Sequence, residues 1–139
     1  MPTAIVFDYG GVLTDAADSA GEPPLLDALR RARAAGLRTA LLSNADGVWE
    51  LPDRAVFDTD ALFDTVVISG VVGLRKPDPR IFTLTADRLG ISAGECVFVD
   101  DLAVNVRAAV TAGMIGVHHT SVDATLLELG ALFEVEFSA

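Results

Sequence analysis

The sequence predicts a three-layer α/β/α fold built on a parallel sheet of about five strands. Three observations lead there. Short runs rich in β-branched residues recur: "TAIVF" (3–7), "RTALLS" (38–43), "TVVIS" (65–69), "ECVFV" (95–99) and "IGVHH" (115–119). Each is brief and almost wholly apolar, as strands covered on both faces are. Helical patterns separate them, and strands alternating with helices imply right-handed crossovers between parallel neighbours.

The first run ends at Asp8, and two glycines follow almost at once in "VFDYGGVLTD". In "PPLLDALRRARAAG" (23–36) Leu25, Leu29 and Ala32 share a stripe, arginines stand opposite, and Gly36 supplies the stop. The second run closes on Ser43 and Asn44. "DPRIFTLTADRLG" (78–90) repeats the helical grammar, with Asp78 as N-cap, Pro79 in the first helical position and Gly90 at the end. "LAVNVRAAVTAG" (102–113) is a third helix and "VDATLLELGAL" (122–132) a fourth, leaving "FEVEF" as an end strand or tail. The least regular stretches are 14–24 and 44–62. There is no internal repeat, low-complexity segment or linker, so residues 1–139 read as a single domain.

Apolar residues make up 51% of the chain, which argues for a real core. A formal net charge of −10 repels phosphate backbones and anionic lipid heads, so nucleic acid and membrane surfaces are not expected partners. Cys96 is the only cysteine and sits in "CVFV", where it reads as a buried core thiol. With neither a signal-peptide pattern nor a membrane-length apolar run, the expected location is the cytoplasm.

In an open parallel sheet, ligands bind beyond the carboxyl ends of the strands, where strand order reverses. The residues at those ends are Asp8, Ser43 with Asn44, and the pair Asp100 and Asp101. Lys76 precedes the helix that leads to the fourth strand. Singly, each has a structural reading, as turn former, loop start or helix cap. Together they place three carboxylates, a hydroxyl and an ammonium at one rim. Clustered carboxylates persist around a cation or with shifted pKa values, and an all-oxygen set suits Mg²⁺. A phosphate then becomes a natural guest of the ion, Lys76, Ser43 and the glycine turn. One aspartate could attack it to give a covalent intermediate.

Four segments, "FDYGGVLTD", "ALLSN", "GLRKPDPRIF" and "VFVDDLAVNVRAA", occur in that order, and their key residues 8, 43, 76 and 100 lie 35, 33 and 24 residues apart. They resemble the motifs of the haloacid dehalogenase (HAD) superfamily over nearly the whole chain. The resemblance implies a Rossmann-like, HAD-like fold and a Mg²⁺-dependent phosphomonoesterase. It makes Asp8 the nucleophile, with Ser43 and Lys76 holding the transferring group as the other catalytic residues. Phosphate contacts fall to Ser43, Asn44, Lys76 and Gly11. Metal ligands fall to Asp8, the Gly10 carbonyl, Asp100 and Asp101, with Asn105 supporting the acidic pair. His118 and His119 read as edge-strand or loop residues.

Two departures from the family pattern matter. An acid–base aspartate usually stands two residues after the nucleophile, and here that place is Gly10. Relatives also insert a large cap between the first motif and the next helix, where this chain has only about ten residues, Thr14 to Pro24. The interval from Ser43 to Lys76 leaves no room for a second one. The expectation is a capless member with an open site for a phosphorylated small molecule or phosphoprotein. A second copy of the chain, touching through Trp49 and Leu51, is a possible cover. Other readings remain open: a catalytically weak or inactive domain that binds a partner or phospho-ligand and, ranked lower, a 2-haloacid dehalogenase. Receiver domains share the residue types but carry the acidic pair on the first strand, the reverse of the order here.

Overall fold

The computed structural model describes residues 2–15, 23–45 and 59–137. Five parallel strands form one sheet in the order β3-β2-β1-β4-β5: β1 Ala4–Phe7, β2 Arg38–Ser43, β3 Thr65–Ile68, β4 Cys96–Asp100 and β5 Ile115–His118. Four main helices cover it: α1 Pro24–Ala34, α4 Pro79–Leu89, α5 Ala103–Thr111 and α6 Val122–Phe133. The short α2 (Thr59–Leu62) and α3 (Ser69–Val72) flank β3.

The alternation of side chains along β1 builds both inner layers. Ile5 and Phe7 pack on one face with Leu25 and Leu29 of α1 and Leu129 and Phe133 of α6. Ala4 and Val6 pack on the other with Ile81 and Phe82 of α4 and Ala109 of α5. Phe82 meets Phe98 of β4 edge to face, with ring centroids 4.9 Å apart. Cys96 lies inside this second layer, and burial pushes its thiol up to about 11, too high for a thiolate nucleophile at neutral pH.

The expected architecture is present, including the caps. Asp78 accepts the Arg80 N–H at 3.0 Å, and Gly90 closes α4 at φ 75°. Three expectations change. The fourth strand runs one residue further, so Asp100 belongs to the strand and not to the loop after it. Leu102 is not the first helical residue but the extended N-cap of α5. The third change is that α2 and α3 arise where the sequence promised only loop or strand end, while residues 134–137 of "FEVEF" take the tail of the two readings left open for them. A four-residue helix is too short to show a periodicity.

This arrangement fixes where chemistry can occur. Strand order reverses between β1 and β4, which pair with Phe7 beside Val99. One residue further on, the two strands present Asp8 and Asp100, and the Asp8 N–H still donates to the Val99 carbonyl at 3.0 Å. Parity along each strand sends both carboxylates toward the α4 and α5 layer, since Val6 and Phe98, two residues earlier, face it. No large cap is evident among the described residues, and no helix there is long and apolar enough to cross a membrane.

Candidate active site

Lys76 is the hub of the site. Its side chain is 2% exposed, and Nζ donates to Asp8 Oδ1 at 2.8 Å, Asp100 Oδ2 at 3.0 Å and the Leu42 carbonyl at 3.1 Å. Nζ also stands 5.5 Å from the Phe98 ring centroid. An ammonium so deeply buried persists because three acceptors replace its water. The sequence assigned Lys76 to a phosphate, whereas here it first serves as counter-ion to two carboxylates.

Asp100 is fully buried and well supplied with donors. Besides Lys76 it accepts the Asn105 side-chain amide on Oδ2 at 3.1 Å and the Leu102 N–H on Oδ1 at 2.9 Å. Asn105 thus holds Asp100 of the acidic pair from within α5, whereas Asp101 precedes that helix. Oxygen atoms of Asp8, Asp100 and Asp101 lie within 4.8 Å of one another. Burial pushes the Asp8 carboxyl up from 3.8 to about 6, with Asp100 and Asp101 adding to the rise and Lys76 opposing it. Asp101 is also raised, by burial and by Asp100 beside it. This crowding is the expected signature of a cation site, and the oxygen-only donors fit a hard divalent ion.

Asn44 does something the sequence did not reveal. Its side-chain amide donates to the Lys76 carbonyl at 3.0 Å and its side-chain oxygen accepts the Lys76 N–H at 2.9 Å. Both ends of the side chain therefore hold Lys76, so any phosphate contact from Asn44 must come from its backbone. Ser69 braces the same loop, accepting the Ala45 N–H at 2.8 Å and donating to the Ala45 carbonyl at 2.9 Å. The Gly11 N–H is likewise engaged, by the Thr14 hydroxyl at 3.0 Å, and reaches a phosphate only if Thr14 lets go.

Gly11 has a steric duty. Its φ is 79°, and a methyl group there would press on the Asp101 carboxyl, whose Cγ would stand only 2.8 Å away. Gly11→Ala is therefore expected to cost about 1–3 kcal/mol in urea denaturation and to weaken Mg²⁺ binding by displacing Asp101. Unchanged Mg²⁺ affinity in a destabilised variant would remove Asp101 from the ligand set.

The histidines brace the site from β5. The His119 N–H donates to the Asp100 carbonyl at 2.8 Å, and His118 Nε2 bonds the Asp101 carbonyl at 3.0 Å. The buried His119 ring spans Asp15 Oδ2 and Thr125 Oγ1, each at 2.6 Å. Nothing in the local pattern "GVHHT" marks this, because the partners are 104 and 6 residues away.

Asp8, Gly10, Ser43, Asn44, Lys76, Asp101, Leu102 and Asn105 line one open cleft of about 270 Å³. The structure thus gathers all the expected positions at one rim, with Asp100 buried behind it and Gly11 beneath Asp101. Trp49 and Leu51 lie outside the described residues.

A carboxylate-bearing strand end, a buried lysine and an acidic cluster on this sheet order define a class. The family of haloacid dehalogenase-like hydrolases matches residues 22–113, and the chain belongs to it. It is 37% identical over 97 residues to Phosphatase MT3486 of Mycobacterium tuberculosis, an alignment covering 68% of this chain and 44% of that one. An uncharacterized Corynebacterium glutamicum protein superposes with a TM-score of 0.85 at 32% identity, covering 98% of each chain. The HAD enzyme BT-2542 of Bacteroides thetaiotaomicron, solved with magnesium and inorganic phosphate, superposes with a TM-score of 0.57 at 25% identity, covering 70% of this chain and 50% of that one. The chain spans less than half the length of the curated relatives it matches.

Proposed function

We propose that residues 1–139 form one hydrolase domain, a Mg²⁺-dependent phosphomonoesterase acting through an aspartyl-phosphate on Asp8. The observation that carries the reading is the Asp8–Lys76–Asp100 arrangement at the strand-order reversal, with bond lengths of 2.8 and 3.0 Å. Asp8 Oδ attacks phosphorus, the ester P–O bond breaks, and the leaving oxygen departs with the electron pair. Lys76 neutralises the charge that gathers on the phosphoryl oxygens, and Ser43 donates its hydroxyl to one of them. Water then cleaves the acyl phosphate and regenerates Asp8.

Asp8, Asp101 and the Gly10 carbonyl would hold Mg²⁺, with Asp100 contributing behind them. The bound ion would supply positive charge that lets a phosphate dianion approach three carboxylates. The open rim would suit phosphorylated small molecules or a phosphoprotein, and self-association remains a proposal for covering it. Release of inorganic phosphate from p-nitrophenyl phosphate is expected to fall to background with EDTA and return with added Mg²⁺. Turnover that persists without metal would overturn the reading.

Gly10 supports a second reading. Glycine at this position puts neither an acid nor a base on the cleft, so the domain could bind phospho-ligands with little turnover. Tight Mg²⁺-dependent binding of a phosphate analogue with no hydrolysis of any phosphoester would favour it.

A further inference from the structure

We infer that Leu102 is the leaving-group contact of this site and that its preferred substrates are aryl phosphates. This rests on the phosphomonoesterase reading and names the substrate class it left open. Leu102 is the one large apolar side chain among the described residues that line the cleft. It is 54% exposed and so open to a ligand in the cleft.

Its position is rigid. The Leu102 N–H donates to Asp100 Oδ1 at 2.9 Å, and its carbonyl accepts the Asn105 and Val106 N–H groups at 3.1 and 3.2 Å. Its preceding neighbour, Asp101, also lines the cleft. A backbone held this firmly sets where the side chain starts, so less has to be ordered when a contact forms. Leu102 and Asn105 line the same cleft as Asp8 and Asp101, which puts Leu102 beside the acidic cluster.

Gly10 adds an independent constraint. Residue 10 offers no carboxyl to give the departing oxygen a proton, which favours a leaving group stable as an anion. Phenolates meet that need and bring a flat apolar ring. Alkoxides fail the first condition and small acyl phosphates the second. In the step, the P–O(aryl) bond breaks, the phenolate takes the electron pair, and water later supplies its proton.

The test compares kcat/KM for 2-naphthyl phosphate and acetyl phosphate, both activated but only one with an aromatic ring. It uses the wild type, Leu102→Asn and Leu102→Met. Asparagine is favoured at an N-cap, so the helix start should survive. The ratio of naphthyl to acetyl turnover is expected to drop on the order of 5-fold in Leu102→Asn and to stay near wild type in Leu102→Met. Calorimetric titration of phenylphosphonate and methylphosphonate with Mg²⁺ reads the same contact without turnover, and phenylphosphonate should bind more tightly only when residue 102 is apolar. A flat ratio, or equal phosphonate affinities, overturns the inference while leaving the phosphatase reading intact. If neither phosphonate nor inorganic phosphate binds with Mg²⁺, the phosphatase reading itself fails.

Discussion

Asp8→Asn is expected to abolish phosphoester turnover and at the same time to make the metal-free protein more stable at neutral pH. Loss of a nucleophile typically costs on the order of 10⁴- to 10⁶-fold in kcat. The gain in stability follows from the raised carboxyl. Burial, with Asp100 and Asp101 nearby, lifts Asp8 from 3.8 to about 6 despite Lys76, which sets about 3 kcal/mol against the ionised form. Between those two pH values the native state holds more protons than the unfolded chain. The contribution of Asp8 to wild-type stability is therefore fully present below pH 3.8 and lost as pH rises from there through 6. Asparagine mimics the protonated acid, and Lys76 keeps Asp100 and the Leu42 carbonyl as partners. Urea denaturation without metal should show the variant ahead by up to about 3 kcal/mol at pH 7.5 and by less at pH 5. An asparagine variant that still hydrolyses phosphoesters would disqualify Asp8 as nucleophile. Equal stability at pH 7.5 would mean that Lys76 fully offsets the crowding.

Gly10→Asp should do the opposite for catalysis. A carboxyl beside the leaving oxygen restores general acid assistance, expected to speed hydrolysis of alkyl phosphates on the order of 10²-fold. The backbone permits it. Gly10 has φ −67° and ψ 128°, ordinary for any residue, and a Cβ built there meets nothing within 4 Å. The strained glycine is its neighbour Gly11, so a carboxylate at 10 does not inherit that strain. Activated esters should gain less, since their leaving groups need no proton, unless breakdown of the aspartyl-phosphate limits the rate. In that case the wild type shows a burst of product that the variant lacks. A folded, Mg²⁺-binding Gly10→Asp protein with no gain on either ester class would favour the ligand-binding reading over the enzymatic one.

Leaving-group chemistry connects these variants to Leu102. Adding the acid at residue 10 should erode the preference for phenolate leaving groups, whereas changing Leu102 should erode the preference for a ring. The two substitutions act on different terms, the proton and the apolar contact, and so should combine nearly additively if the side chains do not touch.

The strand and helix plan was legible because its signals are local. Five apolar β-branched runs, Asp78-Pro79 at a helix start and Gly90 at its end each carry their own instruction within a few residues. The candidate site was legible for a related reason. In a parallel sheet every strand ends on the same side, so residues distant in sequence but alike in position, Asp8, Ser43 and Asp100, must converge.

What each side chain does there was decided only by the tertiary structure. The sequence could place Lys76 near the carboxylates, but not foresee that burial would bind it to Asp8, Asp100 and the Leu42 carbonyl at once. Asn44, expected at a phosphate, turns its side chain to the Lys76 backbone, and the partners of His119 lie at positions 15 and 125. Hydrogen bonds of this kind join chain segments whose separation carries no period and no motif. Their geometry exists only once the sheet and its crossovers have fixed where the loops meet. Composition and spacing determine that such polar groups gather, and the cost of burying a charge without a partner determines, only in three dimensions, which of them pair.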